Sequence, residues 1–156
     1  MQEQYYFILF SFYSQVEIHQ SDLELPGNMW EEEHVNQGFS WRPGSVSFGL
    51  LIDTGYVHTK IYLSNIVGTD KEPERRIVVP FRVSPSGLVK VSDTVRDELI
   101  EIPQGNYRLT FEVGRLDKEN EWCNLYFYPQ EKVTPEIFVS GDLNPSYPLL
   151  MHANPA

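Results

Sequence analysis

Short runs of alternating apolar and polar residues recur along the chain, separated by Gly, Pro, Asn and Asp clusters, and no stretch sustains the period of a long helix. The alternation predicts half-buried strands at residues 5–13 (YYFILFSFY), 13–19, 45–53 (SVSFGLLID), 56–65 (YVHTKIYLSN), 76–83 (RIVVPFRV), 88–92, 98–102, 107–114 and 123–128, with a further one at 137–140. Segments 45–53 and 56–65 are separated only by Thr54 and Gly55, so they are expected to pair as a hairpin. Pro80 removes one ladder donor, which implies a bulge or an edge position there. Loops are expected at 22–28 and 68–73, and turns at 84–87, 103–106 and 117–120. Only residues 30–37 (WEEEHVNQ) have helical spacing, with acids near the N-terminal end and Gly38 as the stop; the following GFSWRPG reads as loop.

So many short strands in one sheet would leave a large apolar face uncovered, so the pattern predicts an all-β fold, a two-sheet antiparallel β-sandwich with one short helix. The 156 residues fit a single domain, 1–156. From residue 142 the chain carries Pro145, Pro148 and Pro155 without periodicity, and this tail is expected to lie irregularly over the surface or to be partly disordered. A content of 41% hydrophobic and 13% aromatic residues excludes a disordered chain.

Charge changes this picture more than composition does. The formal net charge of −10 opposes direct binding to nucleic acid or to anionic membranes and favours a basic partner. No Lys or Arg precedes Arg42, whereas Glu3, Glu17, Asp22, Glu24, Glu31, Glu32 and Glu33 do. Taken alone, such a block reads first as a solvated face. The apolar run 5–13 follows Glu3 where a signal peptide needs positive charge, lacks a cleavage site and is too short to span a bilayer, so it is read as a strand. The lone Cys123 permits no intrachain disulfide, which fits a cytoplasmic protein, and reads as a small buried hydrophobe.

Catalytic motifs are absent: there is no GxSxG elbow, no phosphate-cradling glycine loop and no Ser, His and Asp set in recognisable context. His19, His34, His58 and His152 are scattered, and consecutive Glu31, Glu32 and Glu33 point in different directions on a helix, so no metal or cofactor is expected. Asp117, Glu119 and Glu121 read as members of a hydrophilic turn. Trp30 and Trp41 form either an exposed aromatic platform for a sugar or protein, or, as the preferred reading, plugs at one end of the sandwich.

Residues 30–48, WEEEHVNQGFSWRPGSVSF, resemble the bacterial competence protein J family, whose members inhibit a DNA-entry nuclease. The resemblance extends to YSQVEIHQ at 13–20, RIVVPFRVSPSGL at 76–88 and IPQGNYRLTFEV at 102–113, in family order. It implies a non-enzymatic inhibitor or immunity-type protein that blocks a basic bacterial DNase stoichiometrically, in the cytoplasm or on a membrane-bound nuclease reached through protein contact, with no small-molecule ligand. On this reading Glu31, Glu32, Glu33, Asp22 and Glu24 are the candidate partner contacts, with Trp30 or Trp41 as aromatic anchors. The alternative from another class is a β-sandwich module that binds a small molecule or carbohydrate through exposed aromatics.

Overall fold

The computed structural model describes residues 3–63 and 71–156. These residues form β1 (Glu3–Ser11), β2 (Gln15–Gln20), α1 (Glu32–Gln37), β3 (Phe39–Arg42), β4 (Ser45–Gly49), β5 (Gly55–Tyr62), β6 (Arg75–Val83), β7 (Leu88–Ser92), β8 (Asp97–Glu101), β9 (Gly105–Arg115), β10 (Asn120–Pro129) and β11 (Glu136–Val139). The strands build a six-stranded sheet in the order β1-β5-β10-β9-β6-β11 and a five-stranded sheet in the order β3-β4-β2-β7-β8, the two-sheet sandwich that the alternation predicts. Among the described pairings only β5 with β10 is parallel.

Alternation decides which side chains fill the space between the sheets. Val16, Ile18, Val46, Phe48, Val89 and Val91 enter from the five-stranded sheet. Ile61, Ile77, Val79, Leu109, Phe111, Leu125 and Phe127 enter from the other. Phe48 and Phe111 stack across the interface with centroids 4.2 Å apart and rings 3° from parallel. Truncating either to Ala is expected to cost about 3–5 kcal/mol, the usual loss for a buried aromatic. Cys123 lies in the same layer, and burial pushes its thiol far up, so it serves as the small hydrophobe expected of it.

The predicted hairpin of 45–53 with 56–65 does not form. Both flanks of β4 are taken, by β2 and β3, and residues 50–54 carry the chain to the other sheet, where β5 pairs with β1 and β10. Hydrogen bonds fix this crossing: the Glu121 carboxylate accepts from the N–H groups of Leu51 and Ile52, each at 3.1 Å, and the Ser14 hydroxyl reaches the carbonyls of Leu50 and Ile52. Glu121 is therefore fully buried and not part of the hydrophilic turn, which holds Asp117 and Glu119. Residues 39–42, expected as loop, form β3, with Phe39 and Trp41 facing inward and positive-φ glycines at Gly38 and Gly44 on either side. Of the eleven strands in the described residues only β3 lies outside the predicted segments, because four residues at a sheet edge are too few to show a period.

The edge expectation for Pro80 holds locally. β11 accompanies β6 only as far as Val78, and beyond it the Pro80 carbonyl accepts the Trp41 indole N–H at 2.8 Å. A residue's N and O point the same way in a strand, so the missing donor lies on that open flank. The predicted 68–73 loop and the end of segment 56–65 fall largely outside the described residues.

The tail lies irregularly over the surface, the first of its two expected forms, and it is pinned there. Leu149 and Ala153 are buried, Asn144 N donates to Asn36 O, Met29 N donates to Asn154 O, and Asn28 bridges to Pro155.

Candidate functional site

The acids at 31–33 open α1. Glu31 is its extended N-cap, and Glu32 and Glu33 lie in the first turn, where the unpaired N–H groups favour negative charge. His34 anchors the turn: its Nδ1 accepts the Glu31 N–H at 2.9 Å, and its Nε2 lies 2.9 Å from the His152 carbonyl. A carbonyl can only accept, so the buried ring is held as the neutral Nε2–H tautomer. Gln37 completes the attachment, donating to Phe39 O and Leu150 O and accepting from Leu150 N, all at 2.9 Å. Gly38 ends the helix at φ +84°, and a Cβ there would stand 2.8 Å from Leu143 Cδ1. The helix is thus fixed from beneath by the tail, while all three carboxylates stay exposed.

Beside them lies a depression of about 410 Å³, edged by Tyr13, Gln15, Trp30, Val35, Leu50 and Arg75. Tyr13 and Val35 are 68% and 60% exposed, and Met29 nearby in the chain is 52% exposed. Glu31 and Glu32 precede Val35 by four and three residues, which places them on its helix face. Trp30 is half-buried, its indole N–H shared between Gln15 Oε1 at 3.1 Å and Ser47 Oγ at 3.3 Å. Arg75 forms part of the wall; it donates to Gly49 O at 2.9 Å and pairs with Asp142 at 2.8 Å, which lowers the Asp142 carboxyl. An apolar hollow with a charged rim is the form of a protein-docking patch.

The other expected contacts lie apart from this centre. Asp22 and Glu24 are exposed beyond Gln20, at the far end of β2 from Gln15, a strand length of roughly 16 Å away. Asp22 accepts a 3.3 Å hydrogen bond from Ser84 there. Trp41 borders a different hollow, with Pro43, Pro80 and Arg82, so it does not join Trp30 in an aromatic platform, and with its N–H satisfied internally it plugs the gap between β3 and β6.

One polar cluster has no counterpart in the sequence reading. Glu112, on the outward side of β9, is fully buried and takes a 2.6 Å bond from Arg76 Nε. Alternation assigns such positions to solvent; the available signal was their content, Arg108, Thr110 and Glu112 beside Asn124, Tyr126 and Tyr128, with little of the Lys typical of open faces.

A competence protein J (ComJ) family model matches residues 8–134. A DNA-entry nuclease inhibitor from Bacillus subtilis (strain 168) is 26% identical over 99 residues, which cover 63% of this chain and 73% of that protein. Among solved structures, ComJ from Bacillus subtilis, inhibitor of the DNA degrading activity of NucA, superposes with a TM-score of 0.68 at 18% identity, over 83% of this chain and 98% of its own. The protein of Crocagin biosynthetic gene J gives 0.55 at 13% identity, over 84% and 100%. The two structural likenesses establish a shared fold.

Proposed function

The chain belongs to the competence protein J family, and we propose from that membership that it binds a bacterial DNA nuclease and blocks its active site stoichiometrically, without turnover. The observation that carries this reading is the similarity to the nuclease inhibitor across 99 residues. A nuclease site is built to attract a polyanion, so a protein surface that presents fixed carboxylates can occupy it and exclude DNA. Glu31, Glu32 and Glu33 supply those charges on a helix tied to the core, and the depression beside Trp30 and Val35 receives a side chain from the partner. Asp22 and Glu24, farther off, add to long-range steering, and Trp41 serves packing. The encounter takes place in the cytoplasm or at a membrane-bound nuclease reached by protein contact.

A DNA-cleavage assay with competence-type nucleases, titrated against this protein beside a charge-matched acidic control, tests the reading. Cleavage is expected to stop near equal molar amounts while the control has no effect. Uninhibited cleavage across a panel of such nucleases would remove the proposal.

A further inference from the structure

The outer face of the six-stranded sheet is largely closed to solvent over β10, β9 and β6. Register places Arg76, Glu112 and Asn124 side by side in one row, then Val78, Thr110 and Tyr126, then Pro80, Arg108 and Tyr128. Glu112 and Tyr126 are fully buried and Thr110 is 1% exposed. Burial, and next the Glu112 charge, push the Tyr126 phenol well up, so it stays protonated. Glu112 already engages Arg76. The Arg108 guanidinium instead lies over the Tyr128 ring, 5.2 Å from its centroid, and its buried Nε has no hydrogen-bond partner among the described residues.

Above these rows lies a partly open cavity of about 430 Å³, bordered on its other side by Gln130, Lys132, Thr134, Glu136 and Phe138. Arg108 and Thr110 line it, and the Thr110 hydroxyl, like Arg108 Nε, is buried without a partner. Both atoms are closed off from the cavity itself, so they mark a polar floor beneath it, while the guanidinium end of Arg108 supplies the charge on its lining. Arg76, Arg108 and Lys132 line the cavity against a single carboxylate, Glu136, while Val78 and the exposed ring of Phe138 supply apolar wall. Its volume lies in the range of small-molecule sites, which run from about 300 to 1,000 Å³.

We propose that this cavity binds a small organic anion, a carboxylate or a phosphate, with its charged end on Arg108 and Lys132 and its apolar part against Val78 and Phe138. A guanidinium matches either oxyanion in a planar, paired contact, and the shielded setting strengthens it. The site is separate from the acidic helix and adds a ligand where the sequence predicts none.

Titrating the full ¹⁵N-labelled chain with benzoate, phenyl phosphate and inorganic phosphate, with benzyl alcohol as neutral control, tests the site by NMR. Benzoate or phenyl phosphate is expected to shift the Arg108 Nε–H and Thr110 amide signals saturably, benzyl alcohol to leave them in place, and Arg108→Met to weaken binding at least about tenfold, the loss of one charge-assisted contact. Which of the two aromatic anions binds more tightly identifies the headgroup; inorganic phosphate binding equally well would assign the site to a bare ion and overturn the role of Phe138. No saturable shift at these residues up to about 10 mM of any anion, the weak limit for a ligand of this size, overturns the proposal, as does equal binding of benzyl alcohol. Should Arg108→Met not fold, the exposed rim variants Lys132→Ala and Phe138→Ala decide: both are expected to weaken binding, and unchanged affinity in the pair overturns it.

Discussion

The two outer faces of the sandwich treat polar groups in opposite ways. Over the five-stranded sheet the chain lays residues 26–30, and the outward hydroxyls find partners in that segment: Ser45 donates to Pro26 O, Ser40 to Met29 O at 2.8 Å, and Ser47 meets Gln15 and Trp30. The acids of α1 sit outside this layer, in solvent, while Glu17 beneath it is partly covered. Over β9 in the six-stranded sheet the charge of Glu112 is itself covered, and Arg108, Thr110 and Glu112 each keep one atom without a partner among the described residues. A satisfied face with exposed charge can act on a partner at a distance at little cost to the fold, because solvent-exposed charges contribute little to stability. A covered face with unmet polar atoms instead draws on the fold's stability.

Substitutions can break this contrast, and the largest effect is expected on the covered face. Glu112→Ala removes a buried acceptor from the partly exposed Arg76, and losing such a charge-assisted bond costs about 2–3 kcal/mol; urea denaturation will read it, and a loss below about 1 kcal/mol would mean that the face is wetter than its burial indicates. Glu121→Gln places an amide N–H₂ against one of the two donors, Leu51 or Ile52, and should cost about 1–3 kcal/mol in the same measurement, with the sheet crossing loosened. On the exposed face, replacing Glu31, Glu32 and Glu33 together by Gln should leave stability within about 0.5 kcal/mol, as surface changes do. Nuclease affinity should nevertheless fall about tenfold and its salt dependence should flatten, and an unchanged salt slope would move the docking surface elsewhere.

The smallest effect is at Glu17. Burial, then the Asp97 charge, raise its carboxyl above the ordinary range, so the folded state holds this proton more tightly than the unfolded chain. Stability from the site is full below the ordinary carboxylate value and declines as pH rises through the raised one. Glu17→Gln should remove that decline, giving a shallower profile from acid to neutral pH and a gain of a few tenths of a kcal/mol at pH 7. Asp142, lowered by Arg75, has the opposite sign: its contribution is present above the ordinary value and fades as pH falls.

Strands with clear alternation and firm turns could be read from the sequence, β6, β7 and β8 to within one residue and β9 and β10 to within three, because local pattern and tertiary packing agree there. The placement of β5 could not, since it depends on Glu121, nearly seventy residues beyond the crossing that it holds. The acids of α1 were found because a charge run on a short amphipathic turn is exposed whatever the fold around it. Asp22 and Glu24 are close to them in sequence but not in space, because β2 and its return loop intervene, and a charge count carries no such geometry. The Glu112 cluster was missed for a related reason: period two sorts residues by face, and it cannot say that an outer face is itself covered.

The parallel pairing of β5 with β10 bears on how the molecule assembles. Tyr56 meets Asn120 and Tyr62 meets Tyr126 in this ladder, whereas β9 and β10 join through a short turn. The hairpin can close in microseconds, but the parallel partner must be recruited across a long loop whose closure entropy comes first. Until it arrives, one flank of β10, lined with Trp122, Leu125, Tyr126 and Phe127, stands open as a template for other chains. Folding yield is therefore expected to fall as protein concentration rises during refolding, with the newly made β10 edge as the point of misassociation.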